Sequence, residues 1–151
     1  MPEEFLSGVS GRASRVSLAG RALTEVPGWL GSLTTVTELD LGLNRLTGLP
    51  DWLGNLTGLT ELDVAANRLT SLPGSLGNLT GLTELDLSGA EVTVLPDWLG
   101  DLTALTRLNV SHTQITAVPD RLGNLTALQT LNLDGTGLED SGVANCPSRE
   151  R

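Results

Sequence analysis

Six carboxylates recur in a fixed pattern along the chain. Glu38, Glu61 and Glu84 stand 23 residues apart, and Asp40, Asp63 and Asp86 each follow two residues later. Carboxylates gathered this way can hold a divalent cation or attract a cationic partner. Arg45, Arg68 and Arg107 lie around them, together with His112, the only histidine of the chain. Ser88 and Ser111 offer hydroxyls nearby, but no repeated serine–base–acid arrangement supports nucleophilic catalysis. Cys146 is the single cysteine, so neither an intrachain disulfide nor a cysteine-based zinc site can form. No catalytic, metal-binding or cofactor-binding residue is assigned, and an enzyme is not expected.

The elements that position these groups follow from alternation. Leu39 and Leu41 point to one face of a short strand, and Glu38 and Asp40 point to the other. Val16, Leu39, Leu62, Leu85, Leu108 and Leu131 fall 23 apart, as do Pro27, Pro50, Pro73, Pro96 and Pro119. One unit therefore places a strand, a loop, a short helical segment opened by proline, and a return. Leu53 and Leu56 are three apart and share a helical face, with Pro50 suited to the first turn and Asp51 to its positive end. Stacked units bring the outward strand residues into columns. The first reads Arg15, Glu38, Glu61, Glu84, Arg107, Thr130, and the second reads Ser17, Asp40, Asp63, Asp86, Asn109, Asn132. The six carboxylates then form a block on three adjacent strands. They project from a flat sheet and do not wrap a loop as calcium sites do, so calcium is not expected.

The unit from Leu39 to Glu61 carries the pattern L-x-x-L-x-L-x-x-N-x-L followed by Leu-Pro-x-x-Leu-Gly-x-Leu. This resembles the leucine-rich repeat family over roughly residues 16–138. The extended form is similar to the 23-residue intracellular class of Ras-suppressor-like, plant and bacterial repeat proteins. The resemblance implies an α/β solenoid, a horseshoe of about six coils, with a parallel sheet on the concave face and short helical segments on the convex face. Residues 1–15 read as an N-terminal capping segment, with a short helix over Pro2–Leu6, and residues 139–151 as a polar C-terminal tail or weak cap. The column expected to turn an amide inward reads Arg21, Asn44, Asn67, Ala90, Thr113, Thr136. An irregularity or a buried water is expected at Ala90, which has no amide to offer. Trp29, Trp52 and Trp98 share one column and are expected to pack between coils on the convex side.

Composition agrees with a repeat. Leucine occurs 32 times in 151 residues, so one side-chain shape builds the core. The Asn-Leu-Thr and Asn-Val-Ser triplets at Asn55, Asn78, Asn124 and Asn109 read as repeat vocabulary, not as glycosylation acceptors. Eighteen acidic groups against nine arginines give a net charge of −9, which argues against a nucleic-acid partner. No apolar run reaches the length of a membrane span, and no signal-peptide pattern opens the chain, so a soluble, monomeric, cytoplasmic protein is expected. The expected function is non-enzymatic protein binding through the acidic concave sheet, to a partner with a basic surface. Glu38, Asp40, Glu61, Asp63, Glu84, Asp86, Arg45, Arg68, Arg107 and His112 are the expected contacts. The alternatives are a scaffold segment of a larger or self-associating protein, and an engineered repeat scaffold.

Overall fold

A computed structural model of the chain describes residues 9–10 and 14–138. Six three-residue strands run parallel: β2 (Arg15–Ser17), β3 (Glu38–Asp40), β4 (Glu61–Asp63), β5 (Glu84–Asp86), β6 (Arg107–Asn109) and β7 (Thr130–Asn132). The six pair with one another in chain order, and residues paired across these parallel neighbours are 23 apart, as Leu39 with Leu62 and Leu62 with Leu85. The period of the sequence is thus the length of one coil. A two-residue strand, β1 (Val9–Ser10), adds to the edge of β2 in antiparallel sense. Alternation within the repeats does not foresee it. The helix expected over Pro2–Leu6 and the tail 139–151 lie outside the described residues.

The returns between strands are 3₁₀ segments: Gly28–Ser32, Asp51–Asn55, Gly74–Asn78, Asp97–Asp101 and Asp120–Asn124. Their backbone hydrogen bonds define them. In the second coil Leu53 N donates to Pro50 O, Leu56 N to Leu53 O, and Leu59 N to Leu56 O, at 3.0–3.2 Å. A 3₁₀ turn repeats every three residues, so residues three apart eclipse and all three leucines face inward. Leu53, Leu56 and Leu59 are each at most 1% exposed. Proline sits one residue earlier than expected, at the N-cap and not in the first turn; Pro50 has φ −73° and ψ 150°.

The inward leucines of all coils join one continuous core from Val16 to Leu133. Trp29, Trp52 and Trp98 are half-buried and pack against that core, as their repeat positions suggest. On that side, coils approach one another through glycine. The Trp52 ring covers Gly31, with a ring carbon 3.4 Å from where a Cβ would stand. Where the next coil has Ser75 in place of tryptophan, the backbones close in, and a Cβ on Gly54 would lie 2.3 Å from the Ser75 carbonyl oxygen.

The inward amides behave as the pattern demands. Asn44 is buried, its Nδ2 donates to Leu18 O and Leu41 O, and its Oδ1 accepts from Arg21 N and Leu23 N. Asn67 repeats this toward Leu41 O, Val64 O and Leu46 N. At Ala90 the coil keeps its path: Glu91 N donates to Leu69 O at 2.8 Å, as Arg68 N does to Leu46 O. The irregularity is confined to hydrogen bonding. Among the described residues, no side-chain acceptor replaces asparagine for Leu69 N. Thr113 restores only the donor half, through Oγ1 to Val110 O at 2.7 Å.

Candidate functional site: the acidic face of the sheet

A groove of ≈ 730 Å³ runs across the outer face of β2 to β7. Its geometry is set by two ladders of small hydrogen bonds. Thr37, Thr60, Thr83 and Thr106 each send Oγ1 to the carbonyl one coil back, at 3.0–3.2 Å. These threonines immediately precede the outward glutamate column and lock neighbouring strands together. At the other strand end, Asp40 Oδ1 accepts from Gly42 N, Asp63 Oδ1 from Ala65 N and Asp86 Oδ1 from Ser88 N, all at 2.9 Å. Asn109 and Asn132 do the same at 3.0 Å. The aspartates therefore close a turn that a neutral amide closes equally well. Their charge is surplus to that structural task.

Glu38, Glu61 and Glu84 stand in register on β3, β4 and β5, and so do Asp40, Asp63 and Asp86. All six are half-buried and line the groove. Arg15 Nε donates to the Glu38 carboxylate across the β2–β3 pair. Arg107 is the register neighbour of Glu84 on β6. The groove thus carries carboxylates in its middle and an arginine toward each end.

The carboxyls do not titrate alike. Glu61 lies between the Glu38 and Glu84 carboxyls, within hydrogen-bonding reach of both, and is pushed up to about 7 from an ordinary 4.5, partly also by burial. Glu38 is held below the usual range, first by the proton Glu61 offers and then by Arg15. Asp63 is raised by burial and by Asp86 and Asp40, against the pull of the Ala65 amide.

Of the ten expected contacts, seven line the groove: Glu38, Asp40, Glu61, Asp63, Glu84, Asp86 and Arg107. Arg45, Arg68 and His112 do not. Arg45 and Arg68 are exposed on the loop after the strand, where their amides hold the coil path to Leu23 O and Leu46 O. His112 occupies a left-handed backbone position, φ 55°, shared with Leu43 and Ala66 and with Gly20, Gly89 and Gly135. Its ring lies over Gly135, where a Cβ would stand 2.4 Å from Nδ1. Arg15 lines the groove and pairs with Glu38 although it is not among the expected contacts. Its place at the head of the glutamate column is the signal that could have found it.

Among the described residues, no group of three or more His, Cys, Asp and Glu is arranged to hold a metal ion, and no helix is long and apolar enough to cross a membrane. Two leucine-rich repeat family models match the chain, one over residues 51–145 and one over residues 15–69. A search of curated proteins returned no match. Among solved structures, the leucine-rich repeat ectodomain of the receptor kinase SOBIR1 from Arabidopsis thaliana is similar at 26% identity and a TM-score of 0.71, over 82% of this chain and 70% of that one. An internalin from Listeria monocytogenes is similar at 24% identity and TM-score 0.64, over 83% of this chain and 44% of that one. A leucine-rich repeat protein of Leptospira interrogans follows at 23% identity and TM-score 0.60, over 80% and 43%. This chain thus spans less than half the length of those two bacterial proteins. The repeated strand, the inward asparagine and the matches over most of the sequence lead to one assignment: the chain belongs to the leucine-rich repeat family.

Proposed function

We propose that this protein is a non-enzymatic binding module whose acidic sheet groove receives a protein segment rich in arginine or lysine. Leucine-rich repeat domains generally mediate protein–protein interaction, and solenoids present extended concave surfaces for it. The observation that carries the specific reading is the groove itself. Six carboxylates in register line it, and three of them are held to the backbone, so little ordering entropy is lost on association. Charge complementarity then selects a cationic partner and sets a salt-sensitive on-rate. The lone cysteine leaves no disulfide framework to maintain, which supports a cytoplasmic setting.

The test uses nona-arginine peptide as the cationic probe, titrated into the full chain by calorimetry. Reversing Glu38, Glu61 and Glu84 together to lysine is expected to abolish binding, and added salt to weaken it. Reversing Asp51, Asp97 and Asp101, exposed on the 3₁₀ side, makes the same change in net charge and is expected to leave most of the affinity. Equal losses in the two triple variants would overturn the assignment to the groove.

A further inference from the structure

The turn after each strand passes through a left-handed position, held in successive coils by Gly20, Leu43, Ala66, Gly89, His112 and Gly135. Backbone amides join these turns into a ladder: Gly20 N donates to Gly42 O, Leu43 N to Ala65 O and Ala66 N to Ser88 O, at 2.8–3.1 Å. The position suits glycine, and a bulky side chain there is uncommon. Leu43 occupies it at φ 57°, with the residue 69% exposed. Its neighbours in the column are small. Nothing lies within 4 Å of where a Cβ on Gly20 would stand, and Ala66 carries a single methyl. Leu43 is not among the residues packed on the core. Val94 is similarly exposed, but its backbone is not left-handed.

Arg45 and Arg68 follow Leu43 and Ala66 by two residues, and both are exposed. Arg45 N donates to Leu23 O and Arg68 N to Leu46 O, which sets the two arginines one coil apart, about 4.8 Å along the stack. Neither guanidinium has an ion-pair or hydrogen-bond partner among the described residues. Asp40 and Asp63, on the same coils, are turned to Gly42 N and Ala65 N. Glu91 comes next in the arginine column and makes no ion pair among the described residues. A left-handed leucine, its exposure to water, and two unneutralised like charges are each unfavourable. They coincide on two adjacent loops, and nothing in the described chain offsets them. Leu43, Arg45 and Arg68 all lie outside the lining of the sheet groove.

We propose that Leu43, Arg45 and Arg68 form a second docking point, at the loop edge of the sheet, for a protein segment that presents an apolar side chain beside a carboxylate. Charge complementarity sets the occupant. Two unneutralised guanidiniums one coil apart match a carboxylate, which arginine binds through paired N–H donors. Leu43 supplies the apolar contact, and covering it removes from water a side chain that the fold leaves bare. The inference goes beyond the groove reading and does not need it: the occupant here is anionic, and the groove's is cationic.

The experiment titrates the full, isotope-labelled chain with the acetylated peptide Asp-Asp-Leu-Phe-Asp-Asp and follows the backbone amides by NMR. The amides of Leu43, Arg45, Ala66 and Arg68 are expected to shift together. Leu43→Ala gives this coil the residue that Ala66 already holds at the equivalent position, φ 55°. It is expected to weaken binding by about fivefold or more and to leave the thermal midpoint unchanged. Arg45→Glu with Arg68→Glu is expected to abolish binding. The peptide Asp-Asp-Ser-Ser-Asp-Asp, of equal charge, is expected to bind as weakly as the Leu43→Ala variant binds the first. If that peptide binds as tightly as the first, or Leu43→Ala binds as tightly as the wild type, charge alone is at work and the docking point is overturned. Shifts confined to other residues, or no shifts at millimolar peptide, overturn it as well. A lower thermal midpoint in Leu43→Ala would mean that the leucine braces the fold, and would overturn it too.

Discussion

At the scale of single residues, the inward asparagine is the clearest case of one side chain replacing several backbone partners. Asn67 satisfies Leu46 N, Leu41 O and Val64 O at once. Ala90 holds the equivalent position, 2% exposed, and offers none of this. Ala90→Asn is expected to place an acceptor against Leu69 N and donors against Val64 O and Leu87 O. With about 1 kcal/mol net per bond and some loss to crowding, stability should rise by about 1–2 kcal/mol in urea unfolding. A fall would show that the site cannot admit the larger side chain. The column departs from asparagine at Arg21, Ala90, Thr113 and Thr136, but the inward amide was legible from Asn44 and Asn67. His112 was not. An isolated histidine reads as chemistry, yet this position demands a left-handed backbone in every coil, and His112 simply occupies it, φ 55°, where Gly89 and Gly135 do so without side-chain cost.

At the scale of elements, leucine spacing foretold both faces of each coil, and the strand columns fell into register as alternation required. What the letters left open was the kind of helix, since a spacing of three fits an α-helical face and a 3₁₀ turn alike. Consecutive i to i+3 bonds from Pro50 to Leu59 decide it. The threonine ladder was also hidden, because a threonine beside a glutamate reads as ordinary strand vocabulary. Contact between successive 3₁₀ segments depends on the place of a glycine within its segment: Gly54 is the fourth residue of Asp51–Asn55, and Gly74 is the first residue of Gly74–Asn78. Gly54 faces the Ser75 backbone, where a Cβ would stand 2.3 Å from the carbonyl oxygen, whereas a Cβ on Gly74 would meet nothing within 4 Å. Gly54→Ala must therefore push two coils apart. It is expected to cost about 3 kcal/mol, and Gly74→Ala less than about 1 kcal/mol, by equilibrium denaturation. Equal effects would mean that the coils separate freely on that side.

At the scale of the whole molecule, charge works against compactness. The net charge is −9, and four like-charge pairs stand in register in the groove: Glu38 with Glu61, Glu61 with Glu84, Asp40 with Asp63, and Asp63 with Asp86. The groove's ion pair, Arg15 with Glu38, sits at its β2 end and is largely exposed on the arginine side. An exposed pair of this kind contributes little, so salt has little attraction to screen there. Each facing like-charge pair costs some tenths of a kcal/mol, which brings the four to about 1 kcal/mol. Raising the ionic strength from ~0.01 M to ~0.5 M shortens the screening length from about 30 Å to several ångströms. At about pH 8, with Glu61 ionised, the thermal midpoint is expected to rise by about 2–4 °C over that range. A falling midpoint would mean that attractive pairs dominate. Every one of the four repulsive pairs contains either Glu61 or Asp63. The double variant Glu61→Gln with Asp63→Asn removes all four, and Asn109 and Asn132 show that a neutral amide still closes the turn at the Asp63 position. That variant is expected to be more stable than the wild type at low salt and to lose most of the salt dependence. If its salt dependence matches the wild type, the repulsion lies elsewhere on the molecule and not in the groove.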